Sequence, residues 1–431
     1  MPWKRGVRVI ASVLVAVLLL EAHVCAIDAA GPKKIVLFLS GTSLTDQQTA
    51  VAQSGSLVVQ PLAFIDAWAI TLPVLTPEQA VASLLNYTTV SGVHPVVGVF
   101  DDLVFSVLPI TPALPGEVPV PETYDWGLGH IGVDVAHQKW PGVQGQGVNV
   151  AIVDTGIACG HPDLPLPIDG VNALPSGVSY CDDHGHGTHI SGIIAARKNN
   201  VGLIGAAPLA SLVAVKVLDA NGQGYLSYLL FGLQWIYINQ IRLNIRLVNM
   251  SLGFSVDSLP LQTAIAKLFY DHGTLMVAAA GNRCPTSGSQ GEDGGDEGQG
   301  VCNAPSTTTV LYPAAYAEVL AVTATNFLNQ ITDYSLAGSA VDVTAPGGER
   351  KDKRILSTYD LPPWYGFASG TSQAAAHVTG VLALTLQQRP ALSLAEVRGL
   401  LQQTATVLPG YPRTQQGRGL IDAETLLAAP Q

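Results

Sequence analysis

Long apolar runs alternate with helical patterns over most of the second part of the chain. The runs are rich in Val, Ala and Leu and lack polar alternation, namely NVAIVD, SLVAVKVL, IRLVNMSL, TLMVAAA and EVLAVTAT. Such runs are typical of strands that are buried on both faces. Because helices separate them, the pattern predicts an α/β fold with a mostly parallel central sheet between helical layers.

Residues 31–108 follow a different rhythm of short strands and two helices. The strand patterns are KKIVLFL, SLVVQPLAF, AWAITLP and VVGVFDDLVFSV, and the helical patterns are LTDQQTAVAQ and TPEQAVASLLNY. Their order, β-α-β-β-α-β, is that of a small ferredoxin-like α+β domain. Proline then recurs over residues 109–121, too often for a helix or a central strand. We therefore predict a linker there, followed by a second domain over residues 122–431.

The first 26 residues have the pattern of a secretory signal. A basic start precedes an apolar run from Val9 to Leu20, and small residues follow at Val24 and Ala26. The run is short for a membrane span, so we expect cleavage after Ala26 and a secreted or periplasmic protein. An uncleaved membrane anchor is the alternative.

The cysteine count changes with that cleavage. Removal of Cys25 leaves Cys159, Cys181, Cys284 and Cys302. In an exported protein four cysteines indicate two disulfides, although three pairings are open. We expect the nearest-neighbour pairs Cys159–Cys181 and Cys284–Cys302, with free buried cysteines as the alternative.

Composition and charge exclude some partners. Charged residues make up 12% of the chain, the net charge is −11, and the basic residues cluster only in the short run 349–354. Nucleic acid is therefore not expected as a partner. The sequence contains no second long apolar run, so we expect no stable membrane association after signal cleavage. We also expect a monomer.

Three histidines stand close together in the stretch CDDHGHGTHISG, residues 181–192. The spacing of His184, His186 and His189 could surround a zinc ion, which imidazole and carboxylate groups bind well. Equally, one imidazole could shuttle a proton for a nucleophile elsewhere in the chain. The stretch alone does not decide between these interpretations.

Other polar residues follow the predicted strands, where reactive groups gather in parallel α/β sheets. Asp154 ends NVAIVD, Asn282 follows TLMVAAAG, and Ser372 follows a Gly-Thr turn at the start of an apolar helix. Each alone is readily explained as a turn or cap residue. Together, Asp, His, Ser and a donor Asn are the components of acyl-transfer catalysis.

These residues lie in stretches that resemble the subtilisin-like serine proteases, in the order Asp, His, Ser. The stretches run from about residue 122 to the end and include VNVAIVDTGIACGHPDL, DDHGHGTHISGIIAA, VGLIGAAPLASLVAVKVLDANGQG, LVNMSLG, VAAAGN, ASGTSQAAAHVTG and GRGLIDAETLLA. Residues 31–108 resemble the propeptide of the family. The resemblance implies a subtilisin-like three-layer fold and a serine endopeptidase.

The resemblance also assigns roles to the polar residues. Ser372 becomes the nucleophile, His186 the general base, and Asp154 the group that orients the imidazole. Asn282 and the Ser372 N–H would form the oxyanion hole. His189 becomes a structural residue, and His184 with the two aspartates becomes part of a loop near the active site.

Substrate contacts follow from the same resemblance. An extended peptide would lie between two segments, Gly222-Gln223-Gly224 and Ser251-Leu252-Gly253. The second of these would wall the first specificity pocket together with Ala279, Ala280 and Gly281. Because these walls are small and uncharged, we expect broad specificity with an apolar side chain preferred before the cleaved bond.

A structural calcium ion is a further implication. Side chains of Glu122, Asp163 and Asn199 and backbone carbonyls of Arg197, Val201 and Leu203 would bind it. The positive charges of Arg197 and Lys198 favour the alternative of a metal-free loop. We expect no catalytic metal.

Finally, the resemblance implies a zymogen that processes itself. Residues 31–108 would assist folding, inhibit the active site with their tail, and be removed by a cut between Leu108 and Tyr124. Gln373, Ala376 and Phe254 depart from common family residues, and Phe254 could narrow the substrate groove. A metal-dependent hydrolase and a non-catalytic binding protein are the alternative functions. The first leaves Asp154, Asn282 and Ser372 unused, and the second would be expected to lose a catalytic residue, whereas all are present.

Overall fold

A computed structural model describes residues 31–107, 111–114, 121–175, 177–283 and 309–430. The predicted signal sequence, the predicted Cys284–Cys302 pair and most of the predicted linker lie outside the described residues.

Residues 31–107, the front unit, form a four-stranded antiparallel sheet with two helices. Its elements are β1 (Lys33–Phe38), α1 (Leu44–Gln53), β2 (Leu57–Leu62), a 3₁₀ turn (Ala63–Ile65), β3 (Ala67–Thr71), α2 (Pro77–Leu85) and β4 (Val96–Asp101). The strand order is β2-β3-β1-β4. This arrangement confirms the predicted ferredoxin-like fold.

The last strand predicted for this unit is shorter in the structure. It ends at Asp101, and the chain continues as two separate short strands, β5 (Val104–Ser106) and β6 (Thr111–Pro112). Asp102 turns toward the second unit, where its carboxylate accepts hydrogen bonds from Ser227 N and Ser227 Oγ, both at 2.7 Å. These contacts draw the tail away from the front sheet.

The second unit, called the catalytic unit because the sequence predicts catalytic residues there, is built around a seven-stranded sheet in which every pair is parallel, with the order β14-β13-β12-β11-β7-β9-β8. The sheet confirms the predicted α/β class. The elements of the unit are α3 (Trp126–His130), α4 (Val133–Lys139), β7 (Asn149–Asp154), β8 (Asp169–Asn172), α5 (His186–Ala195), β9 (Ser211–Lys216), β10 (Gln223–Tyr225), α6 (Leu226–Leu243), β11 (Ile245–Met250), α7 (Leu259–His272), β12 (Leu275–Ala279), β13 (Val319–Thr325), β14 (Val341–Pro346), β15 (Ile355–Thr358), β16 (Tyr365–Ala368), α8 (Thr371–Gln388), α9 (Leu394–Thr404), α10 (Arg413–Gln416) and α11 (Ala423–Ala428).

The two faces of the parallel sheet bury separate cores. Along β7, Val150 and Ile152 face a core shared with α5 and α8, whereas Ala151 and Val153 face a core shared with α6 and α7. This alternation follows from the two-residue period of a strand. The result is a helix–sheet–helix sandwich of three layers.

The front unit packs on the α6–α7 side of this sandwich. Ile35, Leu37, Ala67 and Ala69 belong to the same buried cluster as Leu229 of α6. A second, smaller cluster lies between the front sheet and its own helices. The front sheet is therefore covered on both faces, once by its own helices and once by the catalytic unit.

Two small sheets hold the tail, which is the segment that follows β4 and includes β5 and β6. β5 pairs antiparallel with β10, and β6 pairs antiparallel with β16, which also pairs with β15. Within the described ranges no helix is both long and apolar enough to cross a bilayer.

Candidate active site

Three of the four catalytic candidates lie at the ends of elements that meet at one edge of the parallel sheet. Asp154 is the last residue of β7, His186 is the first of α5, and Ser372 is the second of α8. Asn282 follows the end of β12. The carboxyl ends of parallel strands converge there, as expected for this class of sheet.

Asp154 and His186 form a buried pair. His186 Nδ1 lies 2.8 Å from Asp154 Oδ1, and the two residues are 2% and 0% exposed. The approach requires a glycine next to the histidine, because a Cβ on Gly187 would lie 2.1 Å from the Gly156 carbonyl oxygen. The carboxylate thus holds Nδ1, which leaves Nε2 as the ring nitrogen available to a nucleophile.

The Ser372 hydroxyl is directed at a neighbouring backbone carbonyl. Ser372 Oγ donates to Ser251 O at 3.1 Å, whereas no hydrogen bond joins it to His186 among the described residues. Ser251 Oγ in turn donates to Ser372 O at 3.0 Å, so the two serines are linked twice. A rotation of the Ser372 side chain is needed before its proton can pass to the imidazole, and catalytic contacts of this kind often tighten only when substrate binds.

The Asn282 amide is oriented by the residue before the serine. Its Oδ1 accepts from Thr371 N at 3.0 Å and from Thr371 Oγ1 at 3.1 Å. The Nδ2 donor therefore points away from Thr371. Ser372 N is one of the first-turn N–H groups of α8 that have no acceptor within their own helix. Asn282 Nδ2 and Ser372 N are the two donors that the sequence predicts for an oxyanion hole.

The three clustered histidines have different surroundings. His189 Nε2 lies between the carbonyl oxygens of Ile355 and Gly366, at 3.2 and 3.1 Å, and burial lowers the pKa of His189 to about 3. His184 borders Gly222, and burial with the nearby His186 lowers the pKa of His184. In the described part of the chain no three His, Cys, Asp or Glu side chains are gathered as a metal site.

Sequence reasoning missed a buried lysine behind the catalytic pair. Lys216 is 1% exposed, and its Nζ donates to the carbonyl oxygens of Thr155 and Leu218 and to Asp183 Oδ1 at 2.6–2.7 Å. It thus connects β9, the turn after Asp154 and the loop before His186. The signal was a lysine inside the otherwise apolar run SLVAVKVL.

Asp182 organises the same loop. Its Oδ1 accepts from the backbone N–H groups of His184 and Gly185, and its Oδ2 accepts from Thr188 N and Thr188 Oγ1. Cys181, one residue earlier, forms a disulfide with Cys159, which is the pairing that the sequence predicts. Both contacts fix the segment from which His186 projects.

The candidate substrate segments lie against the tail of the front unit. In the β10–β5 pair Gly224 faces Phe105, and Val107 N donates to Gly222 O at 2.9 Å. Phe254 is buried, with its ring centroid 4.6 Å from that of Phe105. Ser251, which precedes Leu252 and Gly253, is hydrogen-bonded to Ser372, and Ala279, Ala280 and Gly281 directly precede Asn282 in the sequence. The structure therefore brings Ser251, Gly281 and Asn282 next to Thr371 and Ser372, whereas Gly222–Gly224 lie against the tail.

The loop at Asp163 has the oxygen-rich composition of a calcium site. Asp163 Oδ2 accepts from Leu203 N and Tyr365 Oη, whereas its buried Oδ1 has no hydrogen-bond partner among the described residues. Burial raises the pKa of Asp163 to about 7. An orphaned, buried carboxylate oxygen is the kind of group that a cation would satisfy.

The remaining calcium candidates surround the same loop. Glu122 Oε1 accepts from the backbone N–H groups of Asn199 and Asn200, and Asn199 Oδ1 accepts from Val201 N. Arg197 N donates to the Asp163 carbonyl oxygen. Backbone hydrogen bonds therefore hold Glu122 and Asn199 in place, and their oxygens keep further lone pairs that could bind a cation.

Comparison with known proteins gives one consistent result. The sequence model of the Peptidase_S8 family, described as the subtilase family, matches residues 145–420. Subtilisin E of Bacillus subtilis is 35% identical over 388 residues, which are 90% of this chain and 87% of that protein. Subtilisin of Bacillus pumilus is 39% identical over 70% of this chain and 98% of its own length. The thermostable alkaline protease of Halalkalibacterium halodurans is 38% identical over 71% of this chain and 74% of its own length.

Proposed function

Because the chain belongs to the subtilase family of serine endopeptidases, we propose that it is exported as a zymogen whose own front unit inhibits it until self-cleavage. The observation that carries the proposal is the course of the tail. β5 lies on β10 as an added strand, and β6, which begins after only four intervening residues, lies on β16. Because an extended peptide substrate commonly binds a protease as an added strand, the pairing of β5 with β10 supports the proposal that the tail occupies the substrate cleft.

The chemistry is carried by Ser372 with His186 and Asp154. Ser372 Oγ leaves the Ser251 carbonyl, passes its proton to His186 Nε2 and attacks the carbonyl carbon of the scissile bond. Asp154 holds the Nδ1–H and stabilises the imidazolium, which then gives its proton to the leaving amine. Water subsequently hydrolyses the acyl-enzyme, with His186 again acting as the base.

The oxyanion of each tetrahedral intermediate is bound by Ser372 N and Asn282 Nδ2. Thr371 assists by holding Asn282 Oδ1 through two hydrogen bonds, which keeps the amide from turning over. Such preorganised donors stabilise charge that develops in the transition state and are worth more there than in the ground state.

Specificity follows from the walls of the cleft. Ser251-Leu252-Gly253 and Ala279-Ala280-Gly281 present small, uncharged groups, so we propose an apolar preference before the cleaved bond. Apolar side chains of the tail also pack beside these segments, since Phe105 is buried against Phe254 and Val107 is buried next to Gly222. Phe254 therefore offers an apolar surface to the peptide that occupies the groove.

A structural calcium ion would be held by Asp163, Asn199 and Glu122 with the carbonyls of Arg197, Val201 and Leu203. The orphaned Asp163 Oδ1 supports this proposal. When bound, the ion would supply charge compensation for a buried carboxylate, and it has no part in the reaction. The expected readout is a calcium-dependent rise in Tm that Asp163→Asn abolishes.

The test of the main proposal uses the secreted protein and Ser372→Ala. A serine-directed sulfonyl fluoride should label Ser372 in the processed wild-type protein, even after treatment with a chelator. Ser372→Ala should accumulate as the uncut chain that begins after the signal, as its N-terminal sequence would show. Normal processing of purified Ser372→Ala would contradict self-cleavage, and the absence of labelling in processed wild-type protein would contradict the catalytic assignment.

A further inference from the structure

The short strand β6 adds a third strand to the small β15–β16 sheet, which directly precedes the helix of the proposed nucleophile Ser372. Thr111 and Pro112 pair with Phe367 and Gly366 of β16, and Ala113 N donates to Tyr365 O at 2.9 Å. β16 ends at Ala368, and the chain then turns through Gly370 into the helix that carries Ser372. The segment Thr111–Ala113 is called the arm below.

Three different contacts attach the arm to the catalytic unit. Its backbone extends the β15–β16 sheet, and Ala113 is 3% exposed within the buried cluster of Ala196, Leu203, Leu356 and Tyr365. Arg354 Nη1 donates to Thr111 Oγ1 at 2.8 Å. None of these contacts involves the front unit, so removal of the front unit leaves them intact.

Chain direction puts the arm on the leaving-group side of the cleft. In the proposed self-cleavage, Val104–Ser106, which pair with β10, precede the scissile bond. From Val107, whose N–H is bonded to Gly222 O, to Thr111 the chain can extend at most about 14 Å. A peptide on the same course therefore leaves the catalytic residues across β16, where the arm already lies.

We propose that the arm stays bound to β16 after the front unit is removed and determines specificity by restricting the leaving-group side of the cleft. The proposal rests on the proposed self-cleavage and requires the cut to precede Thr111. Because the arm is tethered, its effective concentration at β16 is high, and a substrate that extends beyond the cleaved bond must displace it or bypass it. Substrates with a small leaving group meet no such competition.

The experiment compares two substrates with the same acyl-side sequence. One is a peptidyl p-nitroanilide, and the other is an internally quenched peptide that continues four residues beyond the cleaved bond. Ala113→Asp places a charge in the apolar cluster and should release the arm. We expect the ratio of kcat/KM for the long peptide to that for the anilide to rise about tenfold in this variant.

Arg354→Ala provides a second variant, which introduces no charge into the buried cluster but also removes the contact of the Arg354 guanidinium with the Phe367 ring. It removes the hydrogen bond to Thr111 and should raise the same ratio by a smaller factor. Arg350→Ala is the matched control, because Arg350 lies in the same segment but contacts Asp333 and the Arg283 carbonyl. The control should have the wild-type ratio.

Two results would overturn the proposal. One is a mature N-terminus beyond Ala113, which would show that the arm is discarded. The other is an unchanged ratio in Arg354→Ala and in Ala113→Asp, or in Arg354→Ala alone if Ala113→Asp does not fold. Either result leaves the serine endopeptidase intact, whereas loss of sulfonyl fluoride labelling in the wild-type protein would instead contradict the proposed function.

Discussion

The front sheet and the central sheet bury their faces in different ways. The central sheet is covered on one face entirely by helices of its own unit, α5 and α8, and mainly by α6 and α7 on the other. The front sheet covers one face with α1 and α2, but its second face, with Ile35 and Leu37, is buried only against the catalytic unit. Small units bury a smaller fraction of their surface than large ones. The front unit therefore depends on the catalytic unit for part of its stability, whereas the dependence in the other direction is weaker.

The largest expected effect is on catalysis and should leave the packing of both sheets unchanged. Asn282→Ala should lower kcat about 10²- to 10³-fold because the oxyanion loses one donor, while KM changes little. Neither sheet should be disturbed, since Asn282 contacts Thr371 and not the front unit. Steady-state kinetics on a peptidyl anilide measure the effect. A large rise in KM with unchanged kcat would contradict the assigned role.

Acid should act on the catalytic unit rather than on the front unit. Burial lowers the pKa of His189 to about 3 and that of His377 to about 4, whereas His94, the only histidine of residues 31–107, is exposed. The folded state disfavours the protonated imidazoles. Their contribution to the free energy of unfolding is therefore fully present above about pH 6.5, and it is lost as the pH falls toward the lowered pKa values. Each contributes up to about 1.4 kcal/mol per pH unit in that window.

Urea unfolding of Ser372→Ala protein at several pH values tests this expectation without self-digestion. His189→Gln should reduce the overall stability but flatten the decrease between pH 6.5 and pH 4. His94→Gln is the control and should keep the wild-type slope. An equal flattening by both variants would show that the acid response does not come from the buried histidine.

The contact between the units should depend on Asp102. Asp102→Ala removes two hydrogen bonds to Ser227 and should destabilise the docked front unit by about 2 kcal/mol. Hydrogen exchange in full-length Ser372→Ala protein should then become faster in β1–β4 and stay unchanged in β11 and β12. Asp101→Ala is the control, because Asp101 pairs with Lys34 inside the front unit. Faster exchange in both units would show that they unfold together.

A smaller effect of the same kind is expected at Gln234. Its Oε1 accepts from Phe64 N at 3.1 Å and its Nε2 donates to Pro61 O at 3.4 Å. Gln234→Leu should weaken docking by about 1 kcal/mol, visible as faster exchange near β2 and the 3₁₀ turn. If hydrogen exchange in that region is unchanged in Gln234→Leu, the docking depends on the apolar face of the front sheet and not on this residue.

Much of the fold was accessible from periodicity and apolar runs. Five apolar runs correspond to β7, β9, β11, β12 and β13, and both helices of the front unit lie where their patterns indicate. β8 and β14 were not predicted: β8 is only half-buried and β14 includes polar positions, so neither forms a continuous apolar run. The break between β4 and β5 was missed as well, because its cause, Ser227, is distant in sequence.

The candidate site was predictable where a motif carried it and not where packing decided the geometry. Asp154 and His186 meet as the motifs imply, but the roles of all four candidates stay predictions. The direction of the Ser372 hydroxyl toward Ser251 could not be foreseen, because a side-chain rotamer depends on its surroundings. The arm was hidden for a similar reason, since proline-rich residues 109–121 indicated only a linker.

The Cys159–Cys181 disulfide links the two loops from which the catalytic pair projects. Cys159 follows Asp154 and Cys181 precedes His186, and the two cysteines are 22 positions apart along the chain. Closing a ring of this size lowers the conformational entropy of the unfolded chain, which stabilises the folded state by about 3 kcal/mol. Protein made in a reducing cytosol would lack this restriction, and its acid–base pair would depend on Lys216, Asp182 and packing alone. The choice of expression compartment is therefore a variable in any measurement of how heat-resistant this enzyme is.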